Sequence, residues 1–209
     1  MTVTRRSPTR KAKKKNAVSG SAPAPIREFK SQKEFATWLE KNHASSPGLW
    51  VRIAKKGAGT KSITYAEGLE TALCYGWIDA QKLPESETTW LQRYMPRRPR
   101  SIWSKINREK ALALIASGQM KPPGVEQVER ARKDGRWEAA YDSPSAATVP
   151  ADFEKELDRN PKAKAFFKTL SRANSYAVTW RIQTAKKPET RERRIKTFIA
   201  MLEKGETLH

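Results

Sequence analysis

Two stretches of this chain alternate apolar and polar side chains residue by residue, the period of an extended strand. From Leu49 to Ala54, Leu49, Val51 and Ile53 fall on one face and Trp50 and Arg52 on the other. From Thr89 to Met95, Leu91, Arg93 and Met95 oppose Trp90, Gln92 and Tyr94. Trp77 to Lys82 reads as a further strand, joined to the last by the turn Pro84-Glu85-Ser86-Glu87. Elsewhere the period is helical. Ser31-x-x-Glu34 is a capping box that opens a helix with Phe35, Trp38 and Leu39 at i, i+3, i+4, running to about His43. Ser45-Ser46-Pro47-Gly48 breaks it. Thr64-x-x-Glu67 is a second box, opening a helix that carries Leu69, Ala72 and Leu73 inward and ends at Gly76.

From Ser101 onward only helices are predicted. Ile106, Leu112 and Ile115 mark one that stops at Gly118, and Pro122-Pro123 opens another with Val125 and Val128. Beyond the joint at Asp142-Ser143-Pro144-Ser145, Phe153 and Leu157 are i, i+4. Asn160-Pro161 caps and starts a helix with Ala163, Phe166, Phe167 and Leu170. Tyr176 and Trp180 share a face. Pro188 opens the last helix, with Ile195, Phe198, Ile199 and Leu202 inward and Gly205 as its stop. The class is therefore α+β: a small antiparallel sheet of about three strands packed with helices, followed by an all-helical C-terminal part.

Charge divides the chain further. Of 209 residues, 42 are Lys or Arg and 22 Asp or Glu, a net charge of +20. Residues 1–26 hold Arg5, Arg6, Arg10, Lys11, Lys13, Lys14 and Lys15 with no acid and no aromatic. Such a segment has too little apolar surface to offset the entropy of ordering, so it reads as a disordered basic tail. The expected organisation is tail 1–26, α+β domain 27–140 and helical domain 141–209. The tail is the candidate nucleic-acid element. Seven charges each meeting a phosphate of B-DNA give a salt slope of roughly −6, and such binding is non-specific. One Cys excludes an intramolecular disulfide framework or a cysteine zinc cluster, and two His leave little for a metal. No cofactor is expected. No apolar run approaches a membrane span, and no apolar segment follows Arg5-Arg6, so the chain is expected in the cytoplasm.

The densest chemistry lies between Arg93 and Lys110, where seven bases face Glu109 alone. A helix starts near Ser101 and Ser104, and a helix N-terminus beside arginines suits a phosphate or carboxylate. Arg97, Arg98, Ser101, Ser104 and Lys105 are thus candidate anion-binding residues. The alternative is a solvated basic loop in which the serines only cap. Asp79 and Gln81 leave one face of a strand and, with Trp103, would form a pocket that an Arg97 loop approaches; such pairs also serve as structural staples. Cys74 lacks a nearby base and reads as a buried inert thiol. His43 is placed at a helix C-terminus, where it suits the dipole. The run Arg181 to Lys196 carries seven bases and two acids, a solvated helix face or a phosphate track. No nucleophile or acid/base set is recognisable, which leaves enzymatic activity open and a binding role ahead of it.

Several runs together resemble the YdeI/OmpD-associated, or bacteriocin-protection, family. They are Ala72-Leu73-Cys74-Tyr75-Gly76-Trp77-Ile78-Asp79-Ala80-Gln81, Gln92 through Asn107, Asp134 through Pro144, Asn160-Pro161-Lys162-Ala163 and Gln183 through Arg191. The resemblance covers roughly residues 28–209 and leaves out the tail. It implies a bacterial protein with a role in resistance to bacteriocins or antimicrobial peptides, adds Tyr141-Asp142 to the pocket, and implies no established reaction. Antimicrobial peptides are generally cationic, and a chain of net charge +20 repels them. Any protection would therefore be indirect. The alternatives are a non-specific nucleic-acid-associated protein and a protein acting on an anionic small molecule at Asp79 and Arg97.

Overall fold

In the computed structural model, which describes residues 24–208, the alternating stretches are strands and both boxes start helices. The first elements are β1 (Ile26–Glu28), α1 (Gln32–Asn42), β2 (Leu49–Ala54), α2 (Tyr65–Cys74), β3 (Trp77–Pro84) and β4 (Thr89–Pro96). Helices α3 (Lys105–Ala116), α4 (Pro122–Lys133), α5 (Ala151–Arg159), α6 (Pro161–Thr169), α7 (Arg172–Gln183) and α8 (Pro188–Glu203) complete the chain. The Thr64 box is reciprocal: the Glu67 N–H donates to the Thr64 hydroxyl, and the Glu67 carboxylate accepts from the Thr64 N–H at 2.7 Å. The Ser31 box is skewed, because the Glu34 carboxylate reaches one residue further back, to the Lys30 N–H at 2.8 Å.

The sheet has four strands in the order β1-β2-β4-β3, not three, and it is mixed rather than antiparallel. β2–β4 and β4–β3 are antiparallel, but β1 pairs parallel to β2, with Ile26 opposite Trp50. β1 is three exposed residues with one apolar side chain, so it carries no alternation to read. Its pairing comes from the crossover through α1, which brings the chain back alongside. The sheet thus begins at Ile26, inside the stretch assigned to the tail. Residues 1–23 lie outside the described residues, and Arg5, Arg6, Arg10, Lys11, Lys13, Lys14 and Lys15 with them.

Leu49, Val51 and Ile53 point to the helical side of the sheet and are buried with Phe35, Leu39, Leu69 and Leu73. α4 lies close against the end of α2. A Cβ on Gly124 would meet the carbonyl oxygen of Cys74 and, at 2.8 Å, that of Leu73. Gly76 turns the chain out of α2 at φ +72, where a Cβ would sit 2.7 Å from the Pro123 carbonyl oxygen. On α3 the apolar residues that mark the helix are not the buried ones. Ile106, Leu112 and Ile115 are 44%, 42% and 37% exposed, while Ala111 and Leu114 are buried. In that orientation Lys110 pairs with Glu70 of α2 at 2.6 Å, and Arg108 donates to the Trp137 carbonyl.

A second apolar cluster, separate from the first, gathers Phe153, Leu157, Ala163, Val178, Ile182, Ile195, Phe198 and Leu202 from α5 to α8. Arg191 fastens its helices by donating to Asp152 and to the Ile182 carbonyl. Part of the basic run from Arg181 to Lys196 is therefore internal stapling. No helix among the described residues is long and apolar enough to cross a membrane.

Candidate anion site

Where β4 ends, the Arg97 N–H donates to the Gly76 carbonyl at 3.0 Å, which pins the start of the next loop to the end of α2. That turns the Arg97 side chain inward, and it is only 6% exposed. Its guanidinium carbon lies 3.5 Å from the centroid of the buried Trp103 ring, a cation–π contact. Nη1 donates to the Ile102 carbonyl at 3.3 Å, while Nε and Nη2 are buried without a hydrogen-bond partner. Burial lowers its pKa to about 9, against the opposing pull of Tyr141 and Asp79, which lie within electrostatic reach.

Asp79, on β3, accepts a 2.7 Å hydrogen bond from the hydroxyl of Tyr65, the first residue of α2. Burial and this bond push the Tyr65 phenol upward, and burial does the same to Tyr141. Asp79 and Tyr141 are half-buried and Tyr65 is 39% exposed; Arg97 lies within electrostatic reach of Asp79 and Tyr141, and Tyr65 within that of Tyr141. The arrangement offers unpaired cationic donors, a carboxylate and two phenols held protonated. Groups of that kind bind and orient an anion; phenols with raised pKa are poor bases.

The structure brings together Arg97, Trp103 and Asp79 and leaves the other sequence candidates elsewhere. Arg98 is exposed, and its N–H donates to the Ser101 hydroxyl at 2.9 Å in a tight turn. Ser104 caps α3 by accepting from the Asn107 N–H. Lys105 pairs with Asp142 at 2.6 Å. Gln81 does not share the face of Asp79, because a bulge between Asp79 and Lys82 breaks the alternation; Gln81 is exposed and only its carbonyl is used, by Gln92. Cys74 is a free, buried thiol pushed up by desolvation, and His43 closes α1, with its ring nitrogen 3.0 Å from the Leu39 carbonyl.

Two participants escaped the sequence reading. Tyr65 sits where a capping box predicts only a helix start. Arg136 lies in a turn after α4 and is buried, bonded to Asp134 and to the Ser101 carbonyl at 2.6 Å. It fixes the Arg98–Ser101 turn from behind. Tyr141, which the family resemblance added, is held by backbone pairing: its N–H donates to the Trp103 carbonyl, and its carbonyl accepts from Lys105. Its ring meets Trp180 of α7 edge-on at 5.9 Å. Next to it, Asp142 accepts from Gln183 at 2.7 Å, and its backbone carbonyl accepts from the Tyr176 hydroxyl. Tyr141 and Asp142 thereby tie this region to the C-terminal helices.

Residues 27–127, which supply Tyr65, Asp79, Arg97 and Trp103, match a family model described as a domain of unknown function, DUF8412. Residues 146–205, which span α5 to α8, match the bacteriocin-protection, YdeI or OmpD-associated family. No curated protein and no solved structure matches the chain. Tyr141 and Asp142 fall between the two matched segments. The chain is thus similar over residues 146–205 to the bacteriocin-protection, YdeI or OmpD-associated family, and over residues 27–127 to a domain of unknown function.

Proposed function

We propose that this protein is an intracellular binding protein that recognises the anionic group of a small molecule at Arg97, and that its part in resistance to bacteriocins or antimicrobial peptides is indirect. One observation carries the reading: a buried guanidinium keeps two N–H-bearing nitrogens without partners, within electrostatic reach of the half-buried Asp79 and Tyr141. Leaving charged donors unsatisfied costs stability, and a carboxylate or phosphate would relieve that cost. The family match supplies the link to resistance. The net charge of +20 argues against direct capture of cationic peptides.

Titration with small carboxylates and phosphate esters, followed by NMR at the Arg97 Nε–H and the Trp103 indole N–H, tests the reading. Both signals should move together and saturate, and Arg97→Met should abolish the response at Trp103. Silence of both signals at millimolar ligand would overturn it.

A further inference from the structure

Where β2, β3 and β4 run out at one end of the sheet, they leave a groove of about 940 Å³. Its walls carry Lys55, Lys56, Lys82, Tyr65, Pro84 and Trp90, and no acidic side chain lines it. Strand pairing places Ile53 and Pro84 on either side of Trp90, so the indole stands at the centre of the groove, half-buried. The Tyr65 ring lies 6.2 Å from it at an angle of 41°. The bulge that removes Gln81 from the face of Asp79 returns Lys82 to the helical side, where it pairs with Gln92, and its ammonium sits 4.3 Å over the Trp90 ring. Lys55 donates to the Ser86 carbonyl, and neither Lys56 nor Lys82 pairs with a carboxylate among the described residues.

Two aromatic rings at the centre of a groove and three ammonium groups at its rim, with no compensating acid, describe a ligand that is flat and apolar at one end and anionic at the other. We propose that this groove binds a nucleotide, with the base stacked on Trp90 beside Tyr65 and the phosphate met by Lys55, Lys56 and Lys82. Lys82 leaves the indole face for the phosphate as the base takes its place. The same base-plus-phosphate chemistry is offered by a free nucleotide and by a single strand of nucleic acid. The site is distinct from that of Arg97 and shares with it only Tyr65, whose ring faces the groove while its hydroxyl bonds Asp79.

Isothermal titration of the full chain with adenosine monophosphate, adenosine, inorganic phosphate and an eight-residue oligothymidylate tests the proposal. The monophosphate should bind at least fivefold more tightly than adenosine or phosphate alone. Trp90→Leu should weaken it about tenfold, and Lys82→Gln, at an exposed position, at least threefold. The titrations are run on the native chain and on Arg97→Met: the variant should lose any phosphate-ester binding at the anion site and keep the Trp90-dependent binding of the monophosphate, which separates the two sites. Competition between oligothymidylate and the monophosphate, with equal sensitivity to Trp90→Leu, identifies the single strand as the source; absence of competition identifies the free nucleotide. In Arg97→Met, phosphate binding as tightly as the monophosphate, or monophosphate affinity unmoved by an added Lys82→Gln, would overturn the proposal.

Discussion

Arg97 is the residue on which the molecule spends stability. It is charged and buried, and its compensation is the face of Trp103, one carbonyl and two neighbours at a distance. Exchange of an imperfectly compensated buried charge for an apolar side chain of similar length is commonly neutral or stabilising, and the lost cation–π contact, about 2 kcal/mol when desolvated, works the other way. Arg97→Met should therefore melt no lower than the native chain at pH 7, with a gain of up to about 2 kcal/mol, while losing anion binding. The pH dependence has a fixed sign. Arg97 releases its proton near pH 9 in the fold but far higher in the unfolded chain, so above pH 9 the unfolded state binds more protons and the native chain gains stability as pH rises. The advantage of the variant should shrink above pH 9, as chemical denaturation at several pH values would show. A variant that melts lower at pH 7 would mean that the guanidinium holds the fold together. Arg97 and Trp103 were legible from their place in a basic strand-loop-helix segment. Tyr65 was not, because a capping box masks the side chain of the residue it launches. Gln81 was misplaced because a bulge leaves no mark in a short polar run.

At the scale of elements, the close approach of α4 to α2 admits one residue at position 124. An added methyl at Gly124 meets two backbone carbonyls that cannot rotate aside, so Gly124→Ala should cost about 1–3 kcal/mol by forcing the helices apart. Gly124 lies inside α4 and is not among the glycines with positive φ, so the clash is not compounded by backbone strain; Gly118→Ala, at φ +69 with nothing within 4 Å of a Cβ, carries the strain without the clash. Thermal melts read each loss separately; no loss at Gly124→Ala would mean that the close approach of α4 to α2 contributes nothing. The elements themselves were mostly legible, because capping boxes, Pro at helix starts and Gly at helix ends are local signals. β1 was not, since three exposed residues held by pairing alone leave only tertiary evidence. The rotation of α3 was hidden for a related reason. Its buried face carries Ala111 and Leu114, with Lys110 and Arg108 reaching partners far along the chain, while the larger Ile106, Leu112 and Ile115 stay partly exposed, an arrangement that depends on tertiary neighbours.

The whole molecule has two apolar clusters, and the joint between them is largely polar. Lys105, Gln183 and the Tyr176 hydroxyl converge on Asp142, and Tyr141 beside it rests on Trp180. Contact with Lys105 and then Gln183 holds the Asp142 carboxyl below the usual carboxylate range. Its contribution is present above the unfolded carboxylate range near pH 4 and is lost as pH falls through the lower folded value. That gives the joint a calorimetric signature. Near neutral pH the two clusters should unfold as one cooperative unit, with a single heat-capacity peak whose van't Hoff and measured enthalpies agree. In acid, with Asp142 protonated, the peak should split, as residues 151–203 and residues 26–140 melt on separate curves. Asp142→Asn should produce the same split at pH 7, and one undivided peak under both conditions would show that the clusters are coupled by something other than this carboxylate. Where the peak splits, a single titrating side chain decides whether the chain behaves thermodynamically as one body or two.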